Sequence, residues 1–330
     1  MTSRPANHAN PPGRPARPGP VRDLGGGLHE VDTLTAGMGS VTAGFLIEAP
    51  RPTLIECGPS LSVNAVIAAL RKLGMDPGDL AYLVLTHIHL DHAGGAGDVA
   101  EAFPGATIVV SEVGARHLVE PERLNASSRR VYGPLMDTVY GDCTPIAEQR
   151  IRGVADREVL DLGGGRRLDL LYTPGHAKHH IAAFEPDLGA LFVGDSVGVK
   201  LPGMTMIRPA TPPPDFDLVL AHRTLKRYAA LNPEVIYLAH YGAVDPPQES
   251  LAEAGERLQM WADVAEAAYL EHAELDHVAD TLAQRFADEV AFTADDPETE
   301  GRVRLMIDPR SNAMGLLRYL SKREERPPAR

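Results

Sequence analysis

A short histidine-rich segment in the first third of the chain constrains the fold more than any other feature. The segment reads Thr86-His87-Ile88-His89-Leu90-Asp91-His92 and directly follows the apolar run from Leu80 to Leu85. Neutral imidazole and carboxylate groups are good ligands for zinc, iron and manganese. In an extended segment, residues two apart point the same way, so His87 and His89 can bind one ion. Asp91 and His92 come where the chain turns and can face a second ion, so the segment predicts a metal site after a buried strand.

Three further candidate ligands follow later apolar runs. His176 comes shortly after the run at 168–173, Asp195 after the run at 191–193, and His240 after the run at 235–238. In layered α/β proteins, sites commonly collect on the loops at strand ends. Each match alone carries little weight, but their occurrence in order, each after a predicted strand, indicates one site.

The remaining pattern of the central region predicts a layered α/β fold (α+β layered), because short apolar runs alternate with helical stretches. The predicted strands are 41–48, 53–56, 80–86, 106–111, 168–173, 181–184, 191–193 and 235–238. The predicted helices are 60–73, 99–103 and 218–231.

These motifs resemble those of the metallo-β-lactamase fold superfamily, in particular its glyoxalase II-like and lactonase-like branch. The resemblance covers most of the range 41–242 and implies an αββα sandwich with the metals at one edge. It implies two divalent metal ions, with zinc as the first choice and iron or manganese as alternatives. One ion would be held by His87, His89 and His176, the other by Asp91, His92 and His240, with Asp195 bridging the two.

The predicted chemistry is metal-dependent hydrolysis of a small-molecule ester, thioester or lactone. Metal binding lowers the pKa of water from about 15.7 to about 7, so a dinuclear centre can supply hydroxide at neutral pH. Asp91 is the candidate catalytic residue, because it could orient the nucleophile or shuttle its proton. The alternatives are a mononuclear iron persulfide dioxygenase, a β-lactam or phosphodiester hydrolase of the same fold, and a noncatalytic interaction protein with structural metals.

Several residues around these motifs are candidate substrate contacts. His179 and His180 follow His176 after two intervening residues, and Lys200 follows Asp195 by a short loop. Tyr140 and Tyr241 could donate a hydrogen bond to a substrate carbonyl, although an ordinary core contact is the alternative for each. The segment 121–152 is long for a structureless connection and is interpreted as a lid-like insertion.

The charge balance restricts the partners. The chain has 45 Asp and Glu against 32 Lys and Arg, a formal net charge of -13, which disfavours binding to nucleic acid or to an anionic membrane surface. No apolar run reaches the roughly 20 residues of a membrane span, so a cytoplasmic protein acting on a small molecule is expected. The two cysteines, Cys57 and Cys143, allow one disulfide at most and form no cysteine-based zinc site.

Three regions are predicted. Residues 1–27 are rich in Pro and Gly and are expected to be a disordered tail. Residues 28–248 form the catalytic domain, with the lid-like insertion at 121–152. Residues 249–330 form a helical C-terminal extension, whose apolar stripe could cover the main domain or form a homodimer contact.

Overall fold

The computed structural model describes residues 17–289, 297–306 and 308–325. The chain divides into two compact units, Met1–Leu170 and Leu171–Arg330, called the first and second unit below. Within the described ranges no helix is long and apolar enough to span a membrane.

A seven-stranded sheet forms the centre of the first unit, with its strands in chain order. The strands are β1 (Val21–Gly25), β2 (Leu28–Asp32), β3 (Ala43–Ile47), β4 (Thr53–Ile55), β5 (Tyr82–Val84), β6 (Thr107–Ser111) and β7 (Ile151–Val154). Neighbours from β1 to β4 pair antiparallel. From β4 to β7 they pair parallel. The carboxyl ends of β4 and β5 therefore meet at one edge of the sheet, and the histidine segment leaves from that edge.

The helices of the first unit lie between these strands. They are α1 (Val63–Lys72), α2 (Leu90–Ala93), α3 (Ala96–Ala102), α4 (Glu112–Val119) and α5 (Glu122–Tyr132), with a π-helical turn at Met136–Tyr140 and 3₁₀ turns at Thr35–Gly37 and Glu148–Arg150. In α1, Val63, Val66, Ile67 and Leu70 are all buried, as their helical spacing predicts.

A second sheet has six strands in the order β13-β12-β11-β10-β9-β8. They are β8 (Glu158–Gly163), β9 (Arg166–Tyr172), β10 (Ile181–Glu185), β11 (Ala190–Phe192), β12 (Val235–Leu238) and β13 (Gly242–Val244). Strands β11 and β12 are parallel and are joined through α6 (Leu218–Leu231). Loops that leave β9, β11 and β12 carry the later candidate ligands.

The C-terminal region of the second unit is helical, as predicted. It contains α7 (Pro247–Glu271), α8 (Leu275–Arg285), α9 (Pro297–Met306) and α10 (Pro309–Glu325). Trp261 of α7 is fully buried and stacks on Phe286 at a centroid distance of 4.6 Å. Helix α7 begins two residues before the predicted boundary at 249. The homodimer contact through these helices stays a prediction.

The predicted disordered tail needs a correction. Residues 1–16 lie outside the described residues, but Val21–Gly25 form β1, so the prediction is wrong for that part of 1–27. The strand is held by antiparallel backbone pairing, such as Val21 opposite Val31, which requires no apolar pattern in the sequence. In addition, Gly19 N, two residues before β1, donates to Ala65 O of α1 at 3.0 Å.

The predicted lid-like insertion at 121–152 is partly regular structure. It contains α5 and the π-helical turn, and its last two residues, Ile151 and Arg152, begin β7. The structure therefore shows that this segment is not a structureless loop. Its role as a lid stays a prediction.

Candidate metal centre

The histidine segment is held in place at the end of β5. After Val84 the chain bends at Thr86 and continues to His89, which has φ −62° and ψ 148° and precedes α2. Asp91 and His92 lie on α2, where the chain turns as predicted. The carbonyl of His92 accepts hydrogen bonds from Cys57 N at 3.2 Å and Gly58 N at 3.1 Å, so the loop after β4 fixes this turn.

Within the first unit, the four candidate ligands of this segment come together. His87 and His92 are 0% exposed and Asp91 is 7% exposed. His87 Nε2 lies 2.9 Å from His89 Nδ1, and the rings of His87 and His92 are 4.1 Å apart. Asp91 Oδ2 lies 3.6 Å from His92 Nε2. Buried nitrogen and oxygen donors so close to one another fit a bound cation.

Glu56, directly after β4, is a member of this cluster that the sequence reasoning missed. Its Oε1 accepts a hydrogen bond from Thr86 Oγ1 and lies 3.5 Å from His92 Nδ1. Its Oε2 is buried and has no hydrogen-bond partner among the described residues. Ligand atoms of Glu56, His87 and His92 all lie within 4.8 Å of one another, so these three could hold a metal ion. The available signal was an acidic residue at the end of a buried strand, in Ile55-Glu56-Cys57.

The hydroxyl of Thr86 assigns the tautomer of His87. Because its single hydrogen is donated to Glu56, Thr86 Oγ1 accepts from His87 Nδ1, 2.9 Å away. The Nε2 atom of His87 then carries the lone pair, which is the form a metal ligand requires. Glu56 therefore acts on His87 through Thr86 and faces His92 directly.

Within the second unit, His176, Asp195 and His240 also come together. His176 Nε2 lies 3.7 Å from Asp195 Oδ2, and His240 Nε2 lies 3.5 Å from Asp195 Oδ1. Each carboxylate oxygen thus faces a different histidine. His176 Nδ1 lies 3.0 Å from the carbonyl of Ala210, which can only accept, so Nδ1 carries the hydrogen and Nε2 the lone pair. This arrangement also fits a metal ligand set.

The loop that carries His176 packs tightly on α6. Gly175 has φ +144°, and a Cβ there would lie 2.4 Å from Ala221 Cα, so no other residue fits without displacement. Asp217 N donates to Gly175 O at 2.8 Å, and Thr224 Oγ1 donates to Pro174 O at 2.7 Å. Helix α6 therefore fixes the position of His176.

The predicted substrate contacts have varied surroundings. His180 is fully buried with Nδ1 2.9 Å from Thr173 Oγ1, and His179 is 9% exposed. Tyr140 is buried beside Tyr132 at a ring distance of 4.5 Å, which is the core-type contact. Tyr241 is half-buried and packs on the apolar cluster of Val199, Leu201 and Met204.

Lys200 is half-buried, and its backbone N–H donates to His240 O at 2.6 Å. The substrate roles of Lys200 and of the other four residues stay predictions.

Both cysteines are buried and free, so neither forms the one disulfide that their number allows. Burial raises the pKa of the Cys143 thiol to about 12 and that of Cys57 well above its ordinary value. Both thiols are therefore protonated at neutral pH and are poor nucleophiles.

The chain belongs to the metallo-beta-lactamase superfamily, whose family model matches residues 36–240. The metallo-beta-lactamase fold-containing protein ST1585 of Sulfurisphaera tokodaii is 31% identical over 224 residues, which is 67% of this chain and 80% of that protein. The crystal structure of ST1585 covers 88% of this chain and 98% of its own chain, with a TM-score of 0.66 and 26% identity. The predicted family and the predicted sandwich fold with C-terminal helices are confirmed.

Two more distant relatives match shorter stretches. The N-acyl homoserine lactonase AttM of Agrobacterium fabrum is 30% identical over 34% of this chain and 38% of its own length. A hydroxyacylglutathione hydrolase of Legionella pneumophila is 27% identical over 36% of this chain and 34% of its own length. These matches give partial support to the predicted glyoxalase II-like and lactonase-like branch.

Proposed function

We propose that this member of the superfamily is a metal-dependent hydrolase of a small-molecule ester, thioester or lactone. The observation that carries the proposal is the pair of ligand sets, one in each unit and buried except for the half-buried His89, in a chain whose family domain spans both units. Every position at which the resemblance to the superfamily implies a ligand holds a His or an Asp. A degenerate relative without metal would be expected to have lost some of them.

The proposed centre holds two divalent metal ions, zinc first, with iron or manganese as alternatives. His87, His89 and His176 would hold one ion, Asp91, His92 and His240 the other, with Asp195 shared between them. His and carboxylate donors without cysteine suit each of these metals.

When bound, the metals would lower the pKa of water toward neutrality and polarise the carbonyl of the substrate. The protein's own contribution starts with orientation. Thr86 and the carbonyl of Ala210 each hold one histidine in the tautomer that presents Nε2. Asp91, 7% exposed and next to His92, would orient the attacking water and accept its proton.

The substrate class rests on the relatives and on charge. A lactonase and a thioester hydrolase are among the relatives, and both attack an acyl carbon. The net charge of -13 disfavours a phosphodiester backbone as substrate, so a phosphodiesterase is a weaker candidate. We propose a cytoplasmic enzyme acting on a small molecule.

The test is metal content and activity measured on one preparation of the full chain. Elemental analysis should give about two ions per chain, and a panel of esters, thioesters and lactones should include at least one substrate. His89→Ala should lower the metal content and abolish turnover, while His272→Ala should do neither because His272 is an exposed residue at the end of α7. A fully loaded protein that is inert on the whole panel contradicts the substrate class. One iron per chain with oxygen uptake on a persulfide would favour the dioxygenase alternative.

A further inference from the structure

Arg208 lies in the second unit as a buried cation that has no acidic partner among the described residues. Arg208 is 5% exposed, and its Nε has no hydrogen-bond partner in the part of the chain that the structure describes. Burial, and after it the like charge of Arg257, lowers the pKa of Arg208 to about 10, so the guanidinium stays protonated at neutral pH. A buried charge is normally paired, because desolvation of an unpaired ion is unfavourable.

The nearby acidic residues are engaged elsewhere or act at a distance. Glu289 pairs with Arg257, and Glu253 accepts a hydrogen bond from Ile207 N at 2.8 Å. Asp308 raises the pKa of Arg208 through its charge, but forms no ion pair with it. Among the described residues no carboxylate therefore neutralises Arg208.

The ring of Trp261 does not satisfy the guanidinium either. The guanidinium carbon Cζ of Arg208 lies 4.6 Å from the centroid of the Trp261 ring. A guanidinium has five N–H donors in its own plane, and a ring that covers its face accepts none of them. The indole N–H of Trp261 is itself buried without an acceptor among the described residues. Arg208 and Trp261 thus both carry N–H donors that lack an acceptor among the described residues.

The loop that carries Arg208 is held by backbone hydrogen bonds and contacts the metal ligand set of the same unit. Arg208 and Val199 exchange two backbone hydrogen bonds of 2.8 and 2.9 Å. Lys200 N donates to His240 O, and Ala210, two residues beyond Arg208, holds His176 through its carbonyl. The backbone of Arg208 is therefore anchored on the same loop that contacts two candidate ligands, His176 and His240.

We propose that Arg208, stacked on Trp261, forms a binding site for a carboxylate or phosphate group. Oxyanions accept two parallel N–H bonds from a guanidinium, and Arg208 has no carboxylate partner among the described residues to occupy those donors. The group could belong to a free anion or to the substrate, and the second source rests on the proposed function.

Binding can be measured by the fluorescence of Trp261, because it is the only tryptophan of the chain. We would titrate the full-length protein with acetate and with inorganic phosphate at constant ionic strength and follow tryptophan fluorescence. Wild type should give a saturable change, and Arg208→Gln should weaken the affinity by at least about tenfold. Arg208→Lys keeps the charge without the fork of donors and should weaken it by a smaller factor.

Arg285→Gln is the matched control, because Arg285 is exposed and lies over Phe286 at 5.6 Å. It removes the same charge next to the same aromatic stack and should keep the wild-type affinity. Circular dichroism and melting curves identify a variant that has lost its fold, in which case Arg208→Lys alone carries the comparison. No saturable change in wild type, or unchanged affinity in the Arg208 variants, would overturn the proposal.

Kinetics on the metal-loaded enzyme distinguish the two sources of the anion. For matched substrates with and without a carboxylate, Arg208→Gln should raise KM about tenfold for the anionic one alone if the site binds substrate. If Arg208→Gln leaves the KM of both substrates unchanged but abolishes the anion-dependent fluorescence change, the site binds a free anion. Because the fluorescence titration needs no turnover, a failure of the proposed hydrolase function would leave the anion site testable.

Discussion

At the scale of single residues, Glu56 has the largest expected influence without belonging to the predicted ligand set. Its carboxylate faces His92 and holds the Thr86 hydroxyl that orients His87. We expect Glu56→Gln to weaken metal binding by about 10–100-fold, as is usual when a partner of a ligating histidine is changed. Competition with a chelator measures this.

The matched control for that prediction is Glu48→Gln, which removes the same charge from an exposed side chain beside His29. It should bind metal as wild type does. Equal affinity of the Glu56 and Glu48 variants would show that Glu56 does not act on the histidines.

The buried cysteines give a prediction about pH. The folded pKa of Cys143 is about 12, above the unfolded value of about 8.5, so its protonated form is favoured by folding. The resulting stability is fully present below pH 8.5 and is lost as the pH rises toward 12. Melting temperatures should fall over this range less steeply in Cys143→Ala than in wild type. A second measurement is thiol labelling. Because both thiols are buried, neither should react with iodoacetamide at pH 8 before denaturation. Rapid labelling of the native protein would contradict their burial.

At the scale of elements, α6 determines where His176 lies, and Gly175 is the contact that allows it. We expect Gly175→Ala to destabilise the protein by about 1–3 kcal/mol, because its Cβ would collide with the α6 backbone. The variant should also bind less metal, since the loop and its histidine must move. Urea unfolding and elemental analysis provide the two readouts.

Gly78→Ala is the control for the Gly175 variant, because Gly78 is exposed and a Cβ there meets nothing within 4 Å. Its free energy of unfolding should stay close to that of wild type. If Gly175→Ala behaves the same way, the loop is more adaptable than its packing indicates.

Elements with their own local signal were predictable from the sequence. Strand β5 is an apolar run, and α1 and α6 have apolar residues at helical spacing, so all three lie where the pattern predicts them. Strand β8 is not among the predicted strands, although Leu160 and Leu162, separated by Asp161, are both buried. Strands β1 and β13 rest on backbone pairing with a neighbour, which leaves little trace in the side-chain pattern.

The candidate site divides in the same way. The histidine segment is local and was recognised as a unit. The partnership of Glu56 with Thr86 joins residues 30 positions apart, and it follows from the parallel pairing of β4 and β5. Such a contact cannot be identified before the register of the strands is known.

At the scale of the whole chain, the C-terminal helices take part in positioning the second ligand set. Asn312 of α10 accepts from Thr211 N at 2.8 Å and donates to Pro209 O at 3.0 Å. These two residues flank Ala210, whose carbonyl holds His176. The extension predicted at 249–330 is therefore connected to a candidate ligand within its own unit through a short chain of hydrogen bonds.

Gly315 tests this connection, because α10 approaches the same loop so closely that a Cβ on Gly315 would collide with the Thr211 carbonyl. We expect Gly315→Ala to cost about 1–3 kcal/mol of unfolding free energy and to lower metal affinity through the displaced Ala210. Gly255→Ala in α7 is the matched control: its Cβ would make an ordinary contact with Leu225 Cδ1 at 3.7 Å, so helix propensity should leave it neutral or more stable. Urea unfolding and chelator competition on both variants separate the outcomes. A Gly315 variant that loses stability but keeps full metal affinity would show that α10 supports the fold without supporting the site.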